Sequence, residues 1–176
     1  MGRELITLII RFVLLVLLQV LVLNQVQFTG ILNPYLYLYF ILVLPVDFNP
    51  NMGLIVGFAL GLTIDLFSQT LGMHTIATVF AAYCRPYALR YMAPRDGYES
   101  SRIPGIKQMG WLWFLTYAAI IILFHHFVLF FMESFKMSGL WFTLGKSIGS
   151  GILTLSLVII VEMLFARRAR KGSGYD

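Results

Sequence analysis

The chain has 176 residues, of which 59% are hydrophobic and only 12% charged, with a formal charge of +5 and a mean hydropathy of +0.83. Soluble domains carry about 25% charged residues, so a water-soluble globule is excluded: half that density cannot cover a surface of this size. The length allows one domain and leaves no room for a separate soluble module, and a single membrane domain over 1–176 is expected.

The N-terminal stretch MGRELITLIIRFVLLVLLQVLVLNQ sets Arg3 ahead of an apolar run from Leu5 to Leu23. That run exceeds the roughly 7–15 residues of a signal-peptide core, and no small-x-small cleavage site follows it. It is expected to be retained as span one, about 5–23. Ile6 stands where myristoylation at Gly2 would favour Ser or Thr. A helix crossing roughly 30 Å of hydrocarbon needs about 20 residues, and five further apolar runs follow. Span two covers about 33–46 (NPYLYLYFILVLPV), opened by Asn33-Pro34 and closed near Pro45. Spans three to six cover about 51–67, 71–89, 109–132 and 143–166. Spans two and three are short and joined by the tight turn DFNPN, so a re-entrant pair is the alternative to two full crossings. Cys84 is alone, which removes an intrachain disulfide or a cysteine-rich metal site.

Charge supports this layout. Arg3 precedes span one; Arg85, Arg90, Arg95, Arg102 and Lys107 lie between spans four and five; Arg167, Arg168, Arg170 and Lys171 follow span six. Lys and Arg accumulate in cytoplasmic loops, and six spans put all three clusters on one side with both termini inside. The cytosolic features are then the loop 90–108, whose stretch PRDGYESSRIPGIKQ (94–108) has soluble-loop composition, and the tail 167–176. The net charge reads as topology and contact with anionic lipid headgroups, not as a nucleic-acid interface. The stretch MESFKMSGLWF (132–142) is expected along the outer surface.

Within span three, Gly57, Gly61 and Asp65 recur at every fourth position, one face of a helix. Two glycines so spaced let a second helix approach to backbone contact. A carboxylate within a span costs about 2.5–3.5 kcal/mol on insertion scales and faces protein or water, so the stripe is expected to be buried in protein. The short linker SQTLG brings span four's Gly72 and His74 to the same outer level, where an Asp65–His74 hydrogen bond would ease the burial of both. A proton relay, a metal site or a partner contact are the functional alternatives. His125 and His126 of span five lie at similar depth, but adjacent helical residues diverge by about 100°, so one of them at most is expected to face a given site. Arg11, about two turns into span one, is expected by default to snorkel to the headgroups; the alternative is an intramembrane ion pair with Glu162, at a comparable inner depth on the last span, with Asp47 at the inner turn. No Ser-His-Asp order, HExxH or phosphate loop occurs. Ser68 between Asp65 and His74 makes only an accidental triad, and no enzyme activity, metal or cofactor is expected.

The stretch GFALGLTIDLFSQTLGMHTIA resembles the central motif of the bacterial rod-shape-determining MreD family: glycine, glycine and aspartate four apart, a short linker, then leucine-glycine-x-histidine. Gly57, Gly61, Asp65, Leu71, Gly72 and His74 match in order and spacing. The likeness extends over the whole chain in length, in the Asn-Pro opening of span two and in the basic C-terminus. It implies a six-helix bundle, similar in fold to the substrate-binding subunits of energy-coupling-factor vitamin transporters. It also implies a non-enzymatic inner-membrane scaffold for lateral peptidoglycan synthesis and rod shape. The partners implied are an MreC-like periplasmic-facing protein, an MreB-like filament, and a glycan polymerase and transpeptidase. The rival reading is a vitamin-binding transporter subunit, since Asp65, His74, His125, His126, Glu133, Asn24, Gln25, Gln27 and Ser68 could line an outward pocket. Cysteines placed at Gly97 and Ser134 are expected to label from the cytosol and from the outer side, respectively; the opposite labelling in intact cells reverses the topology.

Overall fold

A computed structural model describes residues 2–25, 32–99, 103–134 and 139–171, without the side chains of 3, 4 and 165–171. Helix α1 runs Gly2–Leu21, followed by a 3-10 turn at Leu23–Gln25. A second 3-10 turn, Leu36–Leu38, leads into the four-residue α2, Tyr39–Leu42. Then come α3 (Pro50–Ser68), α4 (Met73–Tyr91), the short α5 (Ile106–Met109), α6 (Trp111–Ser134) and α7 (Leu140–Lys171). Among the described residues, α1 with its following turn, α3, α6 and α7 are long and apolar enough to cross a membrane. Helix α4 is as long as α3 but carries His74, Arg85 and Arg90. The chain is thus an all-helical membrane protein.

Local sequence sets these boundaries. Asn49 caps α3, its side chain accepting from the amides of Asn51 (2.9 Å) and Met52 (3.3 Å), and Pro50 sits at the first helical position, where its missing N–H costs nothing. Gln69 ends α3 in the left-handed conformation, and Gly72, at φ +78, begins α4. Along the bundle, α3 packs on α4, α4 on α6 and α6 on α7, while α1 rests mainly on α3 and the 36–42 segment.

Span two departs from expectation. Its helical part is seven residues long, rising about 12 Å at 2.0 and 1.5 Å per residue, well short of a spanning helix. Every residue from Pro34 to Leu44 is buried. Hydropathy cannot separate a run that faces lipid from one that fills a core, and this run fills the core. Tyr37, Leu38, Ile41 and Leu42 have no exposed surface and belong to one core cluster with Phe114, Tyr117 and Ile121 of α6. The segment nonetheless runs the length of the bundle beside α1, from a cavity shared with Asn24 and Gln25 to one shared with Thr7 and Leu8. Span three, by contrast, is a full 19-residue helix.

The α3–α4 contact depends on glycine. A Cβ at Gly61 would lie 2.5 Å from the Thr75 Cα and 2.8 Å from the His74 carbonyl oxygen; at Gly57 it would meet the Ala82 Cβ at 3.1 Å. Without a hydrophobic drive between helices in lipid, such close packing is a main source of association. The Gly61 neighbours are backbone atoms, which cannot rotate away. Gly61→Ala is therefore expected to cost about 1–3 kcal/mol by overpacking and to lower the thermal unfolding midpoint in detergent. Gly145→Ala, where nothing lies within 4 Å, is expected to leave it unchanged.

Candidate functional site

Helix α4 begins at a residue that cannot cap it. Gly72 offers no side-chain acceptor, so the first amides of the helix need one from elsewhere. Asp65, one turn from the end of α3, supplies it. Its Oδ1 accepts from the His74 amide (3.0 Å) and its Oδ2 from the Thr75 amide (2.8 Å), the second and third helical positions, which an N-cap side chain ordinarily serves. The hydroxyls of Thr70 (2.5 Å) and Thr75 (2.6 Å) complete the set. The carboxylate is 3% exposed and sits at the positive end of the α4 dipole. Gly57, Gly61, Asp65, Gly72 and His74 thus form one structure: the glycines bring the helices together and the aspartate caps the second. Leu71, at the tip of the turn, is 98% exposed, and Leu66 and Phe67 beside it are also exposed.

The expected Asp65–His74 side-chain bond is not formed. Asp65 takes the His74 backbone amide, and the imidazole turns inward, where its Nδ1 lies 3.0 Å from the Tyr37 hydroxyl. That hydroxyl is also 2.7 Å from Nε2 of His125. The Nδ1 of His125 is buried without a partner, and an orphaned acceptor is better tolerated than an orphaned N–H. We therefore assign His125 Nε2–H as donor to the Tyr37 oxygen and the Tyr37 O–H as donor to His74 Nδ1. His74 also lines a cavity of about 450 Å³ with Asn24, Asn33, Tyr35, Ser68 and Thr70.

His125 and His126 are both fully buried and diverge as adjacent helical residues do: His125 reaches the Tyr37 hydroxyl that His74 also meets, and His126 turns to other partners. His126 Nδ1 lies 2.8 Å from the Ile122 carbonyl, so it is the donor, and Nε2 accepts from the Thr154 hydroxyl at 3.0 Å. Thr154 in turn accepts the Tyr35 amide at 2.9 Å. The Tyr35 ring packs against the rings of His74, His125 and His126. Among the described residues no group of three or more His, Cys, Asp or Glu is arranged to hold a metal. Ser68 accepts from the Asn24 side-chain amide at 3.0 Å. Glu133 instead pairs with Lys146 at 2.7 Å.

Two expectations about the inner end are corrected. Glu162 is not paired with Arg11: it accepts from the Tyr39 hydroxyl (2.5 Å) and from the Ile106 amide (3.1 Å). Lys146–Glu133 is the ion pair found among the described residues. A buried carboxylate is satisfied as well by two neutral donors as by a cation, and Tyr39 lies nearer. Arg85 does not belong to the cytosolic face. It is 5% exposed and donates through Nη2 to the carbonyls of Leu44 and of Pro45, the latter at 3.1 Å. Arg90, Arg95 and Lys107 are exposed. Gln27, Arg102 and the 172–176 end of the tail lie outside the described residues, as do the side chains of Arg167, Arg168, Arg170 and Lys171.

Reading the sequence misses Tyr35, Tyr37, Gln19 and Thr154 as members of this network. A signal was present: Thr143, Ser147, Ser150 and Thr154 repeat at three- and four-residue spacing on α7, Glu162 follows eight residues on, and all are buried. No family model, no curated protein and no solved structure matches the chain. Asp65→Leu strips two helix-start amides of their acceptor and is expected to cost about 1–2 kcal/mol. Asp65→Asn, which keeps an acceptor, is expected to cost less. Hydrogen exchange at the His74 and Thr75 amides, with the unfolding midpoint, tests the pair; equal loss in both variants shows that charge itself is required.

Proposed function

We propose that the chain is a non-enzymatic scaffold of the bacterial inner membrane, similar to the MreD family, that serves lateral peptidoglycan synthesis and so maintains rod shape. In this reading the bundle crosses the membrane six times with both termini cytoplasmic, the broken 33–46 segment counting as one crossing. Its fold then resembles the substrate-binding subunits of energy-coupling-factor transporters. The observation that carries the scaffold reading is the α3–α4 turn. Leu71 stands fully exposed on a turn of which the base is fixed by the four hydrogen bonds to Asp65. An exposed apolar residue on a rigid support is what a partner can bind without ordering cost. The turn lies at the opposite end of α4 from Arg90. With Arg90, Arg95 and Lys107 exposed to the cytosol, it meets the periplasm, where an MreC-like protein would dock. The basic inner face suits anionic lipid, an MreB-like filament, and the cytosolic ends of a glycan polymerase or transpeptidase.

The second reading, a vitamin-binding transporter subunit, is favoured by one observation, the outward cavity of about 450 Å³, which is of ligand-binding size. Leu71→Asp separates the two. Leu71 touches little, so stability is expected to stay within about 0.5 kcal/mol of the parent. Recovery of an MreC-like partner on purification from native membranes is expected to fall about tenfold, or about 1.4 kcal/mol. Unchanged recovery rejects this docking surface, and a tightly bound small molecule co-purifying with the chain establishes the rival.

A further inference from the structure

Helices α1 and α7 do not close on each other. Between them runs a groove of about 400 Å³, floored by Leu36 and Tyr39 of the central segment and walled by Leu14 and Leu18 on one side and Val161 and Leu164 on the other. Among the described residues one charged side chain enters it. Arg11 lies half-buried at the middle of α1 and lines both this groove and the cavity of about 450 Å³ on the other flank of the helix. A cation at such a depth is costly unless it meets an anion or reaches the headgroups, and no ion pair joins it to a carboxylate among the described residues. The neighbouring acid, Glu162, is engaged by Tyr39 and Ile106. Asp47 lines the opposite cavity, not the groove, and has a partner of its own.

From this juxtaposition we infer that the α1–α7 groove is a binding site for one anionic phospholipid, with an acyl chain laid along Leu14 and Leu18 and the phosphate drawn in beside Arg11, toward the end of the groove that Thr7 and Leu164 line. The two halves of the groove match the two halves of that ligand. The walls carry almost no polar surface and accept hydrocarbon. The guanidinium presents a fork of donors to phosphate oxygens, and it does so in a low-dielectric setting where a charge-assisted hydrogen bond is strong. Basic pockets between membrane helices take anionic headgroups for this reason. A partner helix of apolar composition would fill the walls but leave the cation unmet. A zwitterionic lipid would set its own ammonium against the guanidinium. The site is independent of the scaffold reading, since neither Leu71 nor the α3–α4 turn takes part.

The test is native mass spectrometry of the full chain, reconstituted in vesicles of equal phosphatidylglycerol and phosphatidylcholine and released in mild detergent. The parent is expected to retain one phosphatidylglycerol in preference to phosphatidylcholine by about tenfold. Arg11→Gln is expected to abolish the preference, and Arg11→Lys to keep part of it. Leu164→Trp, which fills the groove with the charge intact, is expected to lower retention of either lipid. Equal retention of the two lipids by the parent overturns the inference, as does an undiminished preference in Arg11→Gln. Protein crosslinks from a cysteine at Leu14, in place of lipid adducts, also overturn it, by showing a helix in the groove. If Arg11→Gln is not recovered folded, Leu164→Trp decides alone, and unchanged lipid retention there rejects the site.

Discussion

A backbone that leaves regular helix inside a membrane must find a partner for each polar group, because hydrocarbon offers none. The segment from Asn33 to Pro45 leaves regular helix twice, and the bundle around it is arranged to meet that demand. The Asn33 amide donates to Ser150 at 3.1 Å and the Tyr35 amide to Thr154. Gln19 donates to the Pro34 carbonyl at 3.0 Å and accepts from the Tyr37 amide at 3.4 Å. Tyr117 donates to the Leu42 carbonyl at 3.0 Å, and Arg85 to those of Leu44 and Pro45. Gln19 of α1, Arg85 of α4, Tyr117 of α6 and Ser150 and Thr154 of α7 thus share one purpose. Each alone would be an expensive oddity in a membrane helix; together they replace the ladder that the central segment lacks.

The glycine–aspartate motif and this central segment are coupled. Asp65 holds the start of α4, which fixes His74, and the His74 imidazole grips Tyr37 from one side while His125 grips it from the other. The Thr78 hydroxyl, which donates to the His74 carbonyl at 2.7 Å, closes against the same phenol. A change at Gly61 therefore acts at three levels. It separates α3 from α4, it moves the capping carboxylate from its amides, and it shifts an anchor of the core segment. This sequence of contacts explains why the turn beyond it, ending in Leu71, can be apolar and exposed yet held in one conformation.

The long helices were legible because their signal is length and hydropathy: Pro50–Ser68 against an expected 51–67, and Trp111–Ser134 against 109–132, differ only at the ends. The stripe at Gly57, Gly61 and Asp65 was legible as well, since four-residue spacing and the cost of a membrane carboxylate both point inward. What it packs against could not be read: the same spacing serves a partner helix or a neighbour in the chain, and here α4 fills it. The sequence reading of 33–46 as a spanning helix went astray because a run such as YLYLYFILVL scores alike whether lipid or protein surrounds it. Arg85 and the Arg11–Glu162 pairing went astray for a related reason. Charge position along a span gives depth but not rotation, and rotation decides whether a side chain meets solvent, a carbonyl or a carboxylate.

The central segment also bears on which function the bundle can serve. A six-helix subunit that swallows a small molecule needs free volume between its helices, open to one side and lined by groups aimed at the ligand. Here that volume is occupied by Tyr37, Leu38, Ile41 and Leu42, fully buried and held by side chains from four helices. The cavity beside Asn24 is bounded by Tyr35 and His74, and two of the polar side chains that line it are already bonded, His74 to Tyr37 and Asn24 to Ser68. Opening it toward the centre would break the His74–Tyr37 bond that anchors the central segment. A rigid interior and an exposed apolar turn favour a protein that works through its surface, which is the physical ground for preferring a scaffold to a receptor for small molecules.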